Sequence, residues 1–145
     1  MSGFWRVWLV VWCLGVALFG LVLAGGAFEA SSAPVRFVLE NLQGPGDVTF
    51  DPTLRFSLAV MGCVSIGWAT TMLALMLLAF RVDDRARPLW SAVTLGVLVW
   101  FITDSALSVA TGFGLNVIPN LALLATYLIG VSAGGAFRKP TTAPE

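Results

Sequence analysis

Four long apolar stretches constrain this chain more than any other feature of its sequence. They lie at about residues 5–27, 52–80, 88–111 and 116–137. An α-helix needs about 20 mostly apolar residues to cross the hydrocarbon core of a bilayer, and each stretch meets that length. The sequence therefore predicts an all-α integral membrane protein. We expect one domain over residues 1–137, an antiparallel up-down bundle of four transmembrane helices, followed by a cytoplasmic tail over residues 138–145.

The composition agrees with this class and excludes several functions. Charged residues make up 11% of the chain and hydrophobic residues 58%, whereas soluble domains average about 25% charged and 45–50% apolar residues. The net charge is zero and no basic patch is present, so nucleic acid is not an expected partner. Histidine, the commonest general base and metal ligand, is absent. We therefore expect no metal site, an enzyme is disfavoured, and the cofactor stays unknown.

A polar stretch over residues 28–51 separates the first two apolar stretches and is predicted to be an outer loop. Apolar residues at 35, 38, 39 and 42 follow helical spacing, and Pro34 suits the start of a helix. A short amphipathic helix is therefore expected at the membrane surface, ended by Gly44-Pro45-Gly46-Asp47. Four acidic residues in this loop are interpreted as a solvated rim: Glu29, Glu40, Asp47 and Asp51.

The first apolar stretch has a second interpretation, a cleaved signal peptide. Ala24-Gly25-Gly26-Ala27 resembles a small-residue cleavage site. The apolar part from Val7 to Ala24 spans 18 residues, longer than the roughly 7–15 residues of most signal peptides. An uncleaved first span is therefore favoured.

Basic residues at the ends of the apolar stretches predict the orientation, because cytoplasmic loops carry an excess of Lys and Arg. Six lie on one side: Arg6, Arg81, Arg85, Arg87, Arg138 and Lys139. Two lie on the other: Arg36 and Arg55. The side with six is predicted to be cytoplasmic, with both termini on it.

Asp104 is the most informative residue for function. It lies in the third apolar stretch, roughly 22 Å from the cytoplasmic surface of a core about 30 Å thick. A carboxylate at that depth is costly and usually has a partner and a function. Ser108 and Thr111 share its helix face, and Asn116 and Asn120 enter from the fourth stretch at a similar depth. These five residues, with Arg55 as the sixth, form the predicted polar cluster.

Arg55 is the candidate ionic partner of Asp104, although straight helices would leave a vertical gap of roughly 15 Å between them. Two hypotheses stay open. In the first, Asp104 pairs with Arg55 and carries a function. In the second, Asp104 is protonated or hydrogen-bonds to Asn120 and the nearby hydroxyls, and only locks the packing of the helices.

Three aromatic residues are expected at mid-membrane depth, Trp68, Trp100 and Tyr127. If their rings face inward, they could flank a flat apolar ligand such as a quinone, a carotenoid or a lipid tail. The alternative is that they fill the core or contact lipid.

Small residues repeat every four positions in two of the spans, and such faces let membrane helices approach closely. The second span carries Ala59, Cys63, Gly67 and Thr71, and the fourth carries Ala122, Thr126, Gly130 and Gly134. We expect the second-span stripe to pack inside the bundle. Gly130 and Gly134, a GxxxG pair, are the candidate contact with a partner helix or a second copy.

Three short segments of the second span, Leu54-Arg55-Phe56, Met61-Gly62 and Gly67-Trp68, with the four short-looped spans, resemble small bacterial inner-membrane proteins of the DoxX-like kind and allied families of unknown function. The resemblance implies a multi-pass protein of the bacterial inner membrane and assigns no functional residue.

Three functions follow as hypotheses. The first is an accessory or assembly subunit, or a binder of an apolar ligand such as a lipid, a quinone or a pigment. The second is a small transporter or proton-coupled module that uses Asp104. The third is an enzyme that acts on lipid.

Overall fold

The computed structural model describes residues 1–43, 48–82 and 85–137, which fold into α-helices joined by short 3-10 turns. The helices are α1 (Gly3–Ala24), α2 (Ala33–Gln43), α3 (Pro52–Val82), α4 (Arg87–Ala110) and α5 (Val117–Ala133). Four segments are long and apolar enough to cross a membrane: Gly3–Ala27, Pro52–Val82, Arg87–Ala110 and Gly114–Ala133. The all-helical fold and the four apolar helices are confirmed. The Gly44–Asp47 break and the 138–145 tail lie outside the described residues.

The helices begin where the local chemistry favours a start. The Asp51 carboxylate accepts the Leu54 backbone N–H at 2.7 Å, the bond of a helix N-cap, and Pro52 follows as the first residue of α3. Pro needs no backbone donor in a first turn, and Pro88 and Pro119 occupy the first turns of α4 and α5. The predicted short helix is α2, and Pro34 is its second residue.

The long helices contact one another in cyclic order, α1 with α3, α3 with α4, α4 with α5 and α5 with α1. Each neighbouring pair is antiparallel. Along α1 and α5, for instance, Trp8 contacts Thr126 whereas Trp12 contacts Leu123. Along α3 and α4, Phe80 stacks near Trp90 whereas Trp68 stacks near Trp100.

The core has two separate parts. The larger part joins α1, α3, α4 and α5, and Leu9, Met76 and Tyr127 in it are fully enclosed. The smaller part, at the other end of α1, contains Leu23, Val35 and Leu58 and attaches α2 to α1 and α3. The residues of α4 after Phe101 and those of α5 before Leu123 belong to neither part, and they carry most of the predicted polar cluster.

The backbones of α1 and α3 approach most closely at Gly20 and Gly62. A Cβ atom added to Gly62 would lie 2.5 Å from the Gly20 carbonyl oxygen and would also overlap the Ala24 backbone. Only glycine fits at such a contact, because real side chains never approach a backbone so closely.

The second-span stripe does not pack inside, which corrects the sequence-based expectation. Cys63, Gly67 and Thr71 are exposed, and space is open where a Gly67 side chain would be. The buried residues of α3 instead follow steps of three and four: Leu58, Gly62, Ala69, Met72, Met76 and Ala79. A strict four-residue repeat rotates by about 40° per step on a helix with 3.6 residues per turn, so it drifts off the packed face.

The fourth-span glycines contact α1 of the same chain. A Cβ on Gly130 would lie 2.8 Å from Leu9 and Trp8 side-chain atoms, and one on Gly134 would lie 3.1 Å from the Trp5 Cβ. The close approach expected of Gly130 and Gly134 is therefore made with α1 of the same chain. Helix α1 occupies the place that a partner helix would take.

We predict that Gly62→Ala destabilises the protein by about 1–3 kcal/mol, because the added methyl group overlaps backbone atoms that cannot move aside. Gly67→Ala is the matched control, since it adds the same group to the same helix in open space. Reversible unfolding in mixed micelles measures both free energies. Equal effects of the two substitutions would contradict the close approach.

Candidate functional site

The carboxylate of Asp104 accepts hydrogen bonds from the amides of Asn116, the residue before α5, and of Asn120 in α5. Its Oδ2 atom lies 3.0 Å from Nδ2 of Asn116 and 2.5 Å from Nδ2 of Asn120. The Asn116 amide also donates to the Ser108 hydroxyl at 3.0 Å, and the Asn120 amide to the Ser105 hydroxyl at 3.3 Å. These five side chains, which we call the Asp104 cluster, join α4 to α5.

The turn between the two helices sets this geometry. Gly112 has φ +88°, a conformation that glycine adopts readily. The Gly112 N–H donates to the Val109 carbonyl at 3.3 Å and the Phe113 N–H to the Ser108 carbonyl at 2.8 Å, the paired bonds of a Schellman motif. The chain then reverses through a single 3-10 turn, Gly114–Asn116. The reversal places both asparagines, one helical turn apart, against α4.

The Asp104 cluster is partly enclosed. Ser108 is 9% exposed and Asn120 is 6% exposed, whereas Asp104 and Asn116 are half-buried. Helix α2 packs against the Gly114–Asn116 turn, so the amphipathic segment contacts the cluster's own turn. The site is therefore polar and partly open, and α2 packs against the turn beside it.

Of the six residues predicted for the polar cluster, the structure brings together Asp104, Ser108, Asn116 and Asn120. It adds Ser105, which follows Asp104 directly in the sequence. Thr111 is exposed, and its hydroxyl donates to the Leu107 and Ser108 carbonyls of its own helix. Thr111 is thus one turn too far along α4 to reach the carboxylate.

Arg55 does not reach Asp104, and the pairing hypothesis is corrected. Its guanidinium forms an ion pair with Glu29 and donates to the Gly26 carbonyl at 3.3 Å. Arg36 also approaches Glu29, at 3.6 Å, and lies 4.1 Å from the centre of the Phe50 ring. Glu29 therefore pairs with both arginines while its side chain stays 75% exposed, as expected of a solvated rim.

The rings of the three aromatic residues predicted at mid-membrane depth pack directly against neighbouring rings. The ring centres of Trp68 and Trp100 are 5.7 Å apart, and those of Trp12 and Tyr127 are 5.3 Å apart. A flat ligand between two rings needs about 7 Å, twice the carbon–carbon contact distance. Tyr127 is fully enclosed and its hydroxyl lies 2.8 Å from that of Thr94. This geometry supports the core-filling alternative for Trp68, Trp100 and Tyr127.

Trp12 is the aromatic residue for which sequence reasoning found no role. Its indole N–H donates to the Leu123 carbonyl at 3.0 Å, and that of Trp8 donates to the Thr126 carbonyl at 2.9 Å. The spacing of four residues, which puts both indoles on one helix face, was the available signal. Beside them, Val11 completes an apolar groove of about 210 Å³ that is open to the outside.

Comparison of the chain with protein-family models, curated proteins and solved structures finds no match. The resemblance to the DoxX-like kind stays a prediction.

We predict that Asn120→Ala destabilises the protein by about 0.6–2 kcal/mol, since it removes the shorter of two bonds to Asp104. Thr111→Ala is the control, because it removes a hydroxyl that bonds only within α4. Unfolding in mixed micelles compares the two. An effect of Thr111→Ala as large as that of Asn120→Ala would show that the amide bonds are not what joins α4 to α5.

Proposed function

We propose that this chain is a small multi-pass protein of the bacterial inner membrane, an accessory or assembly subunit without a catalytic site. The observation that carries the proposal is an exposed face of α3 with small side chains. Cys63, Gly67 and Thr71 lie on it, one helical turn apart, and Ala74 continues it. Membrane helices associate through such faces because the hydrophobic effect does not drive helix association in lipid. Close van der Waals packing between small side chains takes its place.

The α3 face is better suited to a partner helix than the corresponding part of α4. Gly96 on α4 is also exposed, with open space around it, but Leu95 and Val99 flank it. On α3 the side chains three and four residues from Gly67 are those of Cys63, Val64, Thr70 and Thr71, whereas those around Gly96 include Val99 and Trp100. A helix from another protein can therefore approach α3 more closely than α4.

The partner proposal is tested by Gly67→Leu, which fills the exposed face, and by Gly96→Leu as the matched control on α4. Native mass spectrometry directly from membranes should show wild-type chain in a complex with a second protein. We expect Gly67→Leu to release the chain as a monomer and Gly96→Leu to retain the complex. A bare wild-type monomer, or equal release by both variants, would overturn the accessory role.

A bound lipid chain is the second candidate, favoured by the groove beside Trp8, Val11 and Trp12. Its volume of about 210 Å³ is below the 300–1,000 Å³ of most pockets for drug-sized ligands. This size suits a segment of one acyl chain better than a quinone or a pigment. The same mass spectra would then show retained lipid, and Val11→Phe, which fills the groove, should remove it.

The proposed orientation places both termini in the cytoplasm. Arg6 lies 5.6 Å from the centre of the Phe80 ring, which puts it at the same end of the molecule as Arg81, Arg85 and Arg87. The basic residues at the opposite end, Arg36 and Arg55, share Glu29 as an acidic partner. The uncompensated positive charge of the described residues thus gathers at one end, which supports placing that end inside.

We predict that alkaline phosphatase fused after Glu40 is active and that the same enzyme fused after Phe137 is inactive, because phosphatase matures only outside the cytoplasm. Green fluorescent protein fused at the same two positions should give the opposite pattern and controls for expression. Active phosphatase at the C-terminal position would reverse the orientation.

A further inference from the structure

The three most exposed large hydrophobic side chains of the described residues are phenylalanines near α2. Phe28, Phe56 and Phe37 are 73%, 70% and 68% exposed. Phe28 lies in the connection between α1 and α2, Phe37 lies in α2, and Phe56 lies in the second turn of α3. Three separate segments of the chain therefore each expose an aromatic ring at one end of the molecule.

Ion pairs join these three segments. Glu29 pairs with Arg36 at 3.6 Å and with Arg55. These charged residues are the immediate sequence neighbours of the three exposed phenylalanines. The guanidinium groups of both arginines also lie over the Phe50 ring, 4.1 and 5.3 Å from its centre. The exposed rings therefore surround one ion-pair network and share its level along the molecule.

The exposed ring of α2 is not on the face that the sequence predicts to contact the membrane. Val35 is fully buried in the smaller part of the core, and Leu39 packs against that part. Phe37 is two residues from Val35, about 200° around the helix, and Pro34 is exposed on the same side. Helix α2 therefore packs its predicted apolar face against α1 and α3 and presents Phe37 outward.

Phe56 gives the level of this end relative to a bilayer. Phe80, which Arg6 approaches at the opposite end of the molecule, is roughly 36 Å from Phe56 along α3, at about 1.5 Å per residue. With Phe80 at one boundary of a hydrocarbon core about 30 Å thick, Phe56 lies roughly 6 Å beyond the other, among the headgroups. Val60 and Val64, which are 44% and 65% exposed, continue the apolar surface of α3 from Phe56 into the span.

We propose that Phe28, Phe37 and Phe56 insert together into the headgroup region of one leaflet and attach α2 to the membrane surface. Segments at this level bind lipid by burying apolar and aromatic side chains at the boundary with the acyl chains. The partner of the three rings is thus the lipid surface, which is continuous with the exposed apolar surface of α3. The inference rests on the proposed membrane-spanning arrangement, but it does not depend on the accessory role.

The test uses the full chain in vesicles of phosphatidylcholine and phosphatidylglycerol, with a nitroxide label on a single cysteine. Phe28→Cys and Phe37→Cys are each made in a Cys63→Ser background, and Cys13 is buried and out of reach of the reagent. Collisions with oxygen, which concentrates in lipid, or with a nickel chelate, which stays in water, relax the label. We expect both labels to be more accessible to oxygen than to the nickel chelate.

Two further positions serve as references. Glu40→Cys, at an exposed charged position of α2, should give the reverse order. The native Cys63, exposed on α3, reports whether that helix spans the bilayer. If Cys63 is in lipid but the labels replacing Phe28 and Phe37 are as accessible to nickel as the label replacing Glu40, only this proposal is overturned.

Protection of the Phe28 and Phe37 labels from both reagents would mean that protein covers the rings, and would also overturn the lipid proposal. A label on Cys63 that is accessible to nickel would overturn the membrane-spanning arrangement, and this proposal with it.

Discussion

Polar groups in the long helices find hydrogen-bond partners inside the chain, and this requirement governs how the helices are arranged. Among the described residues no buried side-chain nitrogen or oxygen lacks a partner. Hydroxyls on exposed faces bond to the carbonyl four residues earlier, as those of Thr70, Thr71 and Thr103 do. In a bilayer such local bonds remove the cost of an unsatisfied donor. Polar groups that cannot bond locally instead reach a neighbouring helix, as the Trp12 indole and the Asp104 carboxylate do.

The groups that reach across are few, and each fixes one pair of helices. The indoles of Trp8 and Trp12 join α1 to α5, and the Asp104 carboxylate joins α4 to α5 through Asn116 and Asn120. The pair α1 and α3 is different, because Gly20 and Gly62 let the two backbones meet without a side chain between them. Close backbone packing therefore joins α1 to α3, whereas side-chain hydrogen bonds join α5 to α1 and to α4.

Much of this could be predicted from the sequence, and the failures share a physical cause. The length of the apolar stretches gave the four helices, and the depth of Asp104, Asn116 and Asn120 gave most of the polar cluster. Depth is one-dimensional, however, and it does not say which way a side chain points around the helix. The stripe through Cys63 and Gly67 was therefore placed inside although it is exposed. Gly62, the true contact, differs from Cys63 by one residue and about 100° of rotation.

Arg55 is a second residue whose partner could not be predicted from depth alone. The sequence makes Arg55 a candidate partner of Asp104, because it is the nearest cation at that end of the span and only the vertical gap argues against the pair. The structure gives it Glu29 and the Gly26 carbonyl instead, both at the end of α1, which packs directly against α3. Glu29 and Arg55 lie far apart in the sequence, so the sequence alone does not indicate that they pair. Because α1 and α3 pack closely, the Arg55 side chain reaches the segment that follows α1 and bonds to it.

The consequence for function concerns Asp104. With Arg55 occupied by Glu29, the carboxylate is left among neutral oxygen and amide groups, which can stabilise its charge but cannot neutralise it. A group placed at such depth only to join two helices would not need to be ionisable, since an asparagine or a serine could make interhelical hydrogen bonds as well. The carboxylate of Asp104, left without a cationic partner among the described residues, therefore favours a role in which its charge is used.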